Sequence, residues 1–289
     1  MNQKLQRSKV PAPGKHDNYI NHYSRIHGKT VNLSIGDDNG KFTVHQELLC
    51  ETSPFFREYF ESSPRAPHKF PDLDADLFGD LVDWVYQPKL SIFTKSASQH
   101  PKDISSTRQS ILKAIKFYNL ADEVGIIPLK DSIMTEIIQT YNDQMLFPTV
   151  EEYDAAYARG DPGEGLGYFM ALSYQYMWLA HKDPEGDALG STQRTLTTPE
   201  LQQVLSGNEA LLLQGVALLR GGVQMLVPGN LQDPRKIPIC KYHEHEGGVC
   251  ASGEKSVKGA VISPFTRKGG HFSPRPLKRQ RSNSQPLDD

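Results

Sequence analysis

The chain has 289 residues, a formal charge of −2 and a hydrophobic fraction of 37%, enough for one or two domains with cores of their own. No apolar run approaches the ~20 residues of a membrane-spanning helix, and the opening M-N-Q-K-L-Q-R-S-K-V-P-A-P-G-K lacks the apolar core of a secretory signal. A membrane protein is not expected, the expected location is nucleus or cytoplasm, and the three cysteines are expected as thiols or metal ligands rather than disulfides.

Residues 1–28 are polar and aperiodic and read as a disordered lead-in. Val31, Leu33 and Ile35 then alternate with polar residues, the period of a half-buried strand. Asn39-Gly40 predicts a hairpin turn, since both residues accept positive φ, and Phe42 and Val44 alternate in the strand that follows. Ser53 is placed as an N-cap with Pro54 at the first helical position, and Phe55, Phe56, Tyr59 and Phe60 follow at helical spacing. H-K-F-P-D-L predicts a short third strand, and Phe78, Leu81, Val82 and Val85 an amphipathic helix ending before Pro88. Residues 88–107 read as a polar loop. Ile111, Leu112, Ile115 and Tyr118 predict one helix, and Leu129, Ile133, Ile137 and Tyr141 a second, closing a first domain at 29–147.

Residues 148–238 read as a helical region. Gly165–His181 is apolar on most faces, 182–195 is a Gly/Asp/Thr loop, and Ser206 with Glu209 has the spacing of a capping box before a helix running to about Leu226. No internal repeat is present.

The motifs V-N-L-S-I-G, F-T-V-H-Q-E-L-L, S-P-F-F-R-E-Y-F, P-D-L-D-A-D-L-F-G-D-L-V-D-W-V-Y and I-L-K-A-I-K-F-Y-N-L-A-D-E-V-G-I-I-P-L-K-D-S-I, in that order, resemble a BTB/POZ domain of the type found in many fungal single-chain proteins. The resemblance implies an α+β fold, a small sheet with flanking helices, followed here by a mainly helical region and disordered termini. It also implies protein–protein association, as homo- or hetero-oligomers, rather than catalysis; some members adapt substrates to cullin ubiquitin ligases or recruit corepressors. Two departures weaken particular versions of that role. Thr30 and Gln46 stand where the transcription-factor branch carries an acidic and a basic residue, and residues 88–107 contain no glutamate of the kind cullin adaptors often carry there.

No phosphate-cradling glycine loop, nucleophile elbow or H-E-x-x-H pattern occurs, so no enzyme is expected. His45 reads as a hydrogen-bonded structural histidine and Cys50 as a packed thiol. The sharpest inorganic signal is C-K-Y-H-E-H-E-G-G-V-C, in which Cys240, His243, His245 and Cys250 offer a Cys₂His₂ set, a candidate structural zinc knuckle at 239–251. A two-residue gap suits ligands on a tight turn, a one-residue gap in extended chain puts both histidines on one side, and Gly247-Gly248 allows the return. The plainer alternative is a polar loop.

The tail at 252–289 carries eight Lys and Arg residues from Lys255 onward against Asp288 and Asp289. It reads as a disordered basic arm, with Lys278, Arg279 and Arg281 as a candidate nuclear-import signal and Ser273, Ser282 and Ser284 as candidate phosphorylation sites. An interaction protein is the main expectation. A nucleic-acid-associated transcriptional regulator and a cullin adaptor are the alternatives.

Overall fold

The computed structural model describes residues 28–38, 40–65, 67–90, 104–160, 162, 164–180, 196–220, 232–245 and 250. Residues 1–27 of the lead-in, Asn39, most of the 88–107 loop, the 182–195 loop, Gly247-Gly248 and the basic tail with Lys278, Arg279 and Arg281 lie outside those residues. The chain divides into two compact units between Ile137 and Ile138.

In the first unit the period-two pattern produces β1 (Thr30–Ile35), which buries Val31, Leu33 and Ile35 and turns Thr30 and Asn32 to solvent. β2 (Gly40–His45) pairs antiparallel with it, Val31 opposite Val44 and Leu33 opposite Phe42. β3 (His68–Phe70) lies parallel on the other side, Leu33 opposite His68 and Ile35 opposite Phe70, so the strand order is β2-β1-β3. Among the described residues before β2, Gly36 takes positive φ (73°), and its N–H donates to the Phe70 carbonyl at 3.0 Å. Gly40 opens β2, and the Asn39 half of the expected turn lies outside the described residues.

Helices α1 (Gln46–Thr52) and α2 (Pro54–Ser62) meet at Ser53, as its capping chemistry predicts. The Ser53 hydroxyl accepts from the Phe56 N–H at 3.3 Å and donates to the Val124 carbonyl at 2.6 Å, so this fully buried cap also ties distant chain to the helix start. α3 (Ala75–Tyr86) is capped by Asp74, which accepts from the Leu77 N–H at 2.9 Å. α4 (Ile104–Glu123) and α5 (Ile127–Asp143) follow. Residues 104–107 are helical, which corrects the end of the predicted loop: an already nucleated helix extends over polar residues at little cost. Against the sheet, Phe56 meets Phe70 and Phe78 edge-on, with ring centroids 5.6 and 6.0 Å away.

His68 is buried between Tyr59 and Phe60, with ring centroids 5.6 and 5.1 Å away. Burial, helped by Lys29, lowers its pKa. The unfolded chain, with an ordinary value of about 6.5, then binds a proton that the folded chain resists. Stability is therefore full above about pH 6.5 and falls as the pH drops from there through the lower folded value. Urea unfolding followed by Trp84 fluorescence in a Trp178→Phe background is expected to show this fall, and His68→Phe to flatten it. An unchanged slope in His68→Phe would assign the pH dependence to other groups.

The second unit is helical: the end of α5, then α6 (Val150–Tyr157), α7 (Glu164–Ala180), α8 (Thr198–Gly207), α9 (Glu209–Arg220) and two single-turn 3₁₀ segments at Pro234–Lys236 and Ile239–Tyr242. α7 is its axis. Leu166, Phe169, Met170, Ala171, Leu172 and Met177 are all buried, the pattern of a helix covered on most sides. Polar groups inside the unit are paired in part through tyrosines: Tyr157 donates to Gln214 Oε1 at 2.6 Å and Tyr174 to the Leu201 carbonyl at 3.2 Å. The Cβ that any other residue would bring to Gly167 would sit 2.8 Å from Gln214 Nε2, so a larger residue there would displace the Gln214 amide that accepts from Tyr157.

The predicted Ser206/Glu209 capping box does not form. Ser206 lies inside α8 and donates to the Gln203 carbonyl at 2.9 Å, while Asn208 takes the junction and donates to the Val204 carbonyl at 2.9 Å and to Asp154 at 3.2 Å. Capping boxes do form at Thr149/Glu152 and Thr197/Glu200. α9 is described to Arg220 and the predicted continuation to Leu226 lies outside the described residues. Among the described residues no helix is long and apolar enough to cross a membrane.

Candidate metal centre

The 3₁₀ segment Ile239–Tyr242 carries Cys240 and ends at His243, whose backbone is extended (φ −92°, ψ 148°). In a 3₁₀ turn side chains at i and i+3 eclipse, so Cys240 and His243 start on one side. In extended chain alternate side chains share a side, so His245 joins His243, and their rings lie 5.6 Å apart. The return of the chain brings Cys250, 1% exposed, to the same place.

The four ligand atoms all lie within 4.8 Å of one another. Cys240 Sγ is 3.5 Å from His245 Nε2, and His243 Nδ1 is 2.9 Å from Cys250 Sγ. A tetrahedral zinc with ordinary Zn–S and Zn–N bonds separates sulfur from nitrogen by about 3.6 Å. The first pair has that spacing and the second is shorter. The donor set thus fits zinc in kind, number and spacing, and two thiolates would balance the charge of the dication, so that Cys250 could be buried without net charge. All four predicted ligands are brought together.

Two residues that the spacing argument passes over prove structural. Tyr242 and Glu244 alternate with the ligands and face away from them. Tyr242 is 1% exposed, packs against Phe169 and Tyr168 of α7 at 5.4 and 5.8 Å, and donates its hydroxyl to the Pro234 carbonyl at 2.8 Å. Burial, with Tyr168 and Asp233 nearby, holds this phenol protonated far above its ordinary range, as a donor must be. Glu244 Oε1 accepts from the Gly165 N–H at 3.4 Å, in the first turn of α7. The signal for both was already in Y-H-E-H: if the histidines share one side, their neighbours take the other.

Two other residues singled out in the sequence, His45 and Cys50, lie in the first unit. His45 accepts from or donates to the Tyr86 hydroxyl through Nδ1 at 2.6 Å, and its backbone N–H donates to the same oxygen at 3.1 Å. Cys50 is half-buried, and burial pushes its thiol pKa up, away from reactivity.

A family model, the BTB/POZ domain, matches residues 23–124. No curated protein and no solved structure matches the chain. The three-stranded sheet and its flanking helices have the α+β organisation of that domain, which is a protein–protein interaction module that mediates association and oligomerisation.

Proposed function

We propose that this chain is a non-enzymatic interaction protein whose BTB/POZ segment self-associates or binds a protein partner, and whose Cys240, His243, His245 and Cys250 hold a structural zinc ion. The observation that carries the first part is the match over residues 23–124 joined to the sheet-and-helix fold of the first unit. Support for the second part is the convergence of four donor atoms within 4.8 Å. Four protein ligands leave no coordination position for substrate, so the ion would cross-link the chain rather than activate water.

Sedimentation of the intact chain across a concentration series, with lysine cross-linking, tests the association. The expected result is a species heavier than the 32.4 kDa monomer, or a stoichiometric protein partner, cross-linked through exposed lysines of the segment such as Lys41 and Lys69. A monomer at every concentration with no partner on those lysines would sink the reading. A cullin among stoichiometric partners would select the adaptor role. The basic tail favours a second reading, in which a dimeric regulator contacts nucleic acid and is imported into the nucleus. That reading requires salt-sensitive binding weakened by Lys278→Ala, Arg279→Ala and Arg281→Ala together, and cytoplasmic retention of the same variant.

A further inference from the structure

We infer that the metal acts as a folding clasp for the second unit, holding the strap 234–245 against the first half of α7. The inference rests on the zinc reading above and goes beyond it, because it assigns the ion a mechanical partner within the chain. The strap has little secondary structure of its own: its two 3₁₀ segments span three and four residues, lengths that do not persist alone. Yet it buries Pro234, Ile237 and Tyr242.

Ligation explains how so short a strap stays down. Cys240, His243 and His245 on one side of the chain are drawn to one point with Cys250, and that fixes the backbone orientation of the residues between them. Tyr242 then has to face Tyr168 and Phe169, and Glu244 has to face the Gly165 N–H. Conversely, a strap packed on α7 carries three of the four donors, so packing and ligation support each other. A site so organised converts metal-binding free energy into folding free energy. Glu244 is in this scheme a positioning residue: it touches the helix and the metal does not touch it.

The test uses the full chain, zinc titration and hydrogen exchange read by peptide. Zinc is expected to bind at one ion per chain, and its removal by a chelator to accelerate exchange in Gly165–Met170 by at least about tenfold, with β1 of the first unit unchanged. Glu244→Ala is expected to keep full zinc stoichiometry and the visible spectrum of the cobalt-substituted site while accelerating exchange in the same peptide. Glu244→Gln keeps the acceptor oxygen and restores protection. Stoichiometric zinc whose removal leaves Gly165–Met170 unchanged overturns the clasp and leaves the metal site standing. Failure to bind zinc on titration overturns both.

Discussion

Phe56→Ala is expected to lower the unfolding free energy of the first unit by about 3–5 kcal/mol, a large part of the roughly 5–15 kcal/mol that a domain has in total. The effect should appear as a fall in the urea midpoint of Trp84 fluorescence in the Trp178→Phe background, with little change in slope. The physical reason is position. Phe56 has no exposed surface, and its ring lies 5.6 Å from Phe70 on β3, 6.0 Å from Phe78 on α3 and 6.3 Å from Phe60 on its own helix. Truncation removes the apolar burial and leaves a cavity bounded by three elements that cannot all collapse into it. The neighbouring Phe55 is only half-buried although its ring also touches Phe56 and Phe70, and Phe55→Ala is expected to cost about 1 kcal/mol. Equal losses at the two positions would show that the aromatic layer, rather than the buried junction at Phe56, carries the stability. Because the proposed association belongs to the segment that this core supports, the destabilised variant should also lose self-association or partner binding at temperatures where it unfolds.

Much of the first unit was legible in the sequence because its signals are local. Alternation in Val31, Leu33 and Ile35 needs only a strand with one buried face, and Ser53-Pro54 states its helix start in two residues. The positive φ of Gly36 before β2 was less legible, because it goes with a hydrogen bond to Phe70, a residue 34 positions away. In the second unit the capping boxes T-V-E-E and T-T-P-E were as readable as S-G-N-E, and all three share the same spacing. What separates them is tertiary. Glu152 is buried and accepts from the Tyr141 hydroxyl at 3.0 Å as well as from the Thr149 N–H, whereas Asn208 is drawn away to Asp154. Local pattern offers the cap, and packing decides which offer is taken up.

The candidate metal centre shows the same division. Residue type and spacing predict which four side chains converge, because ligand chemistry is stated by cysteine and histidine themselves. They do not predict that the intervening Tyr242 finds Phe169 or that Glu244 finds Gly165, since those partners lie more than seventy positions earlier. Function at the strap therefore divides into a part carried by the motif and a part carried by the helix on which it lands.

The other end of the strap supplies the second large expected effect: Arg235→Ala should destabilise the second unit by about 3–5 kcal/mol. Arg235 is largely buried and forks onto Asp233, with Nη2 2.6 Å from Oδ2 and Nε 3.0 Å from Oδ1. Its Nη1 donates to the Leu146 carbonyl at 3.1 Å, and its guanidinium lies 3.8 Å from the ring centre of Phe147. Removal would leave the Asp233 carboxylate, itself 17% exposed, without its cation, and the Leu146 carbonyl without that donor. The cost is therefore that of abandoned partners more than of one attraction. Arg235→Lys should recover only part of it, since an ammonium cannot pair through a planar fork and stack on the ring at once. Hydrogen exchange of the peptide spanning Tyr141–Phe147 is the readout, with Asp233→Asn and the double variant completing a cycle. If Arg235→Ala and Asp233→Asn simply add, the pair is not coupled and the tie fails as an account of this end. If they couple, the Asp233 fork is what holds the guanidinium against Leu146 and Phe147, and chelation is expected to accelerate exchange in Gly165–Met170 more than in Tyr141–Phe147.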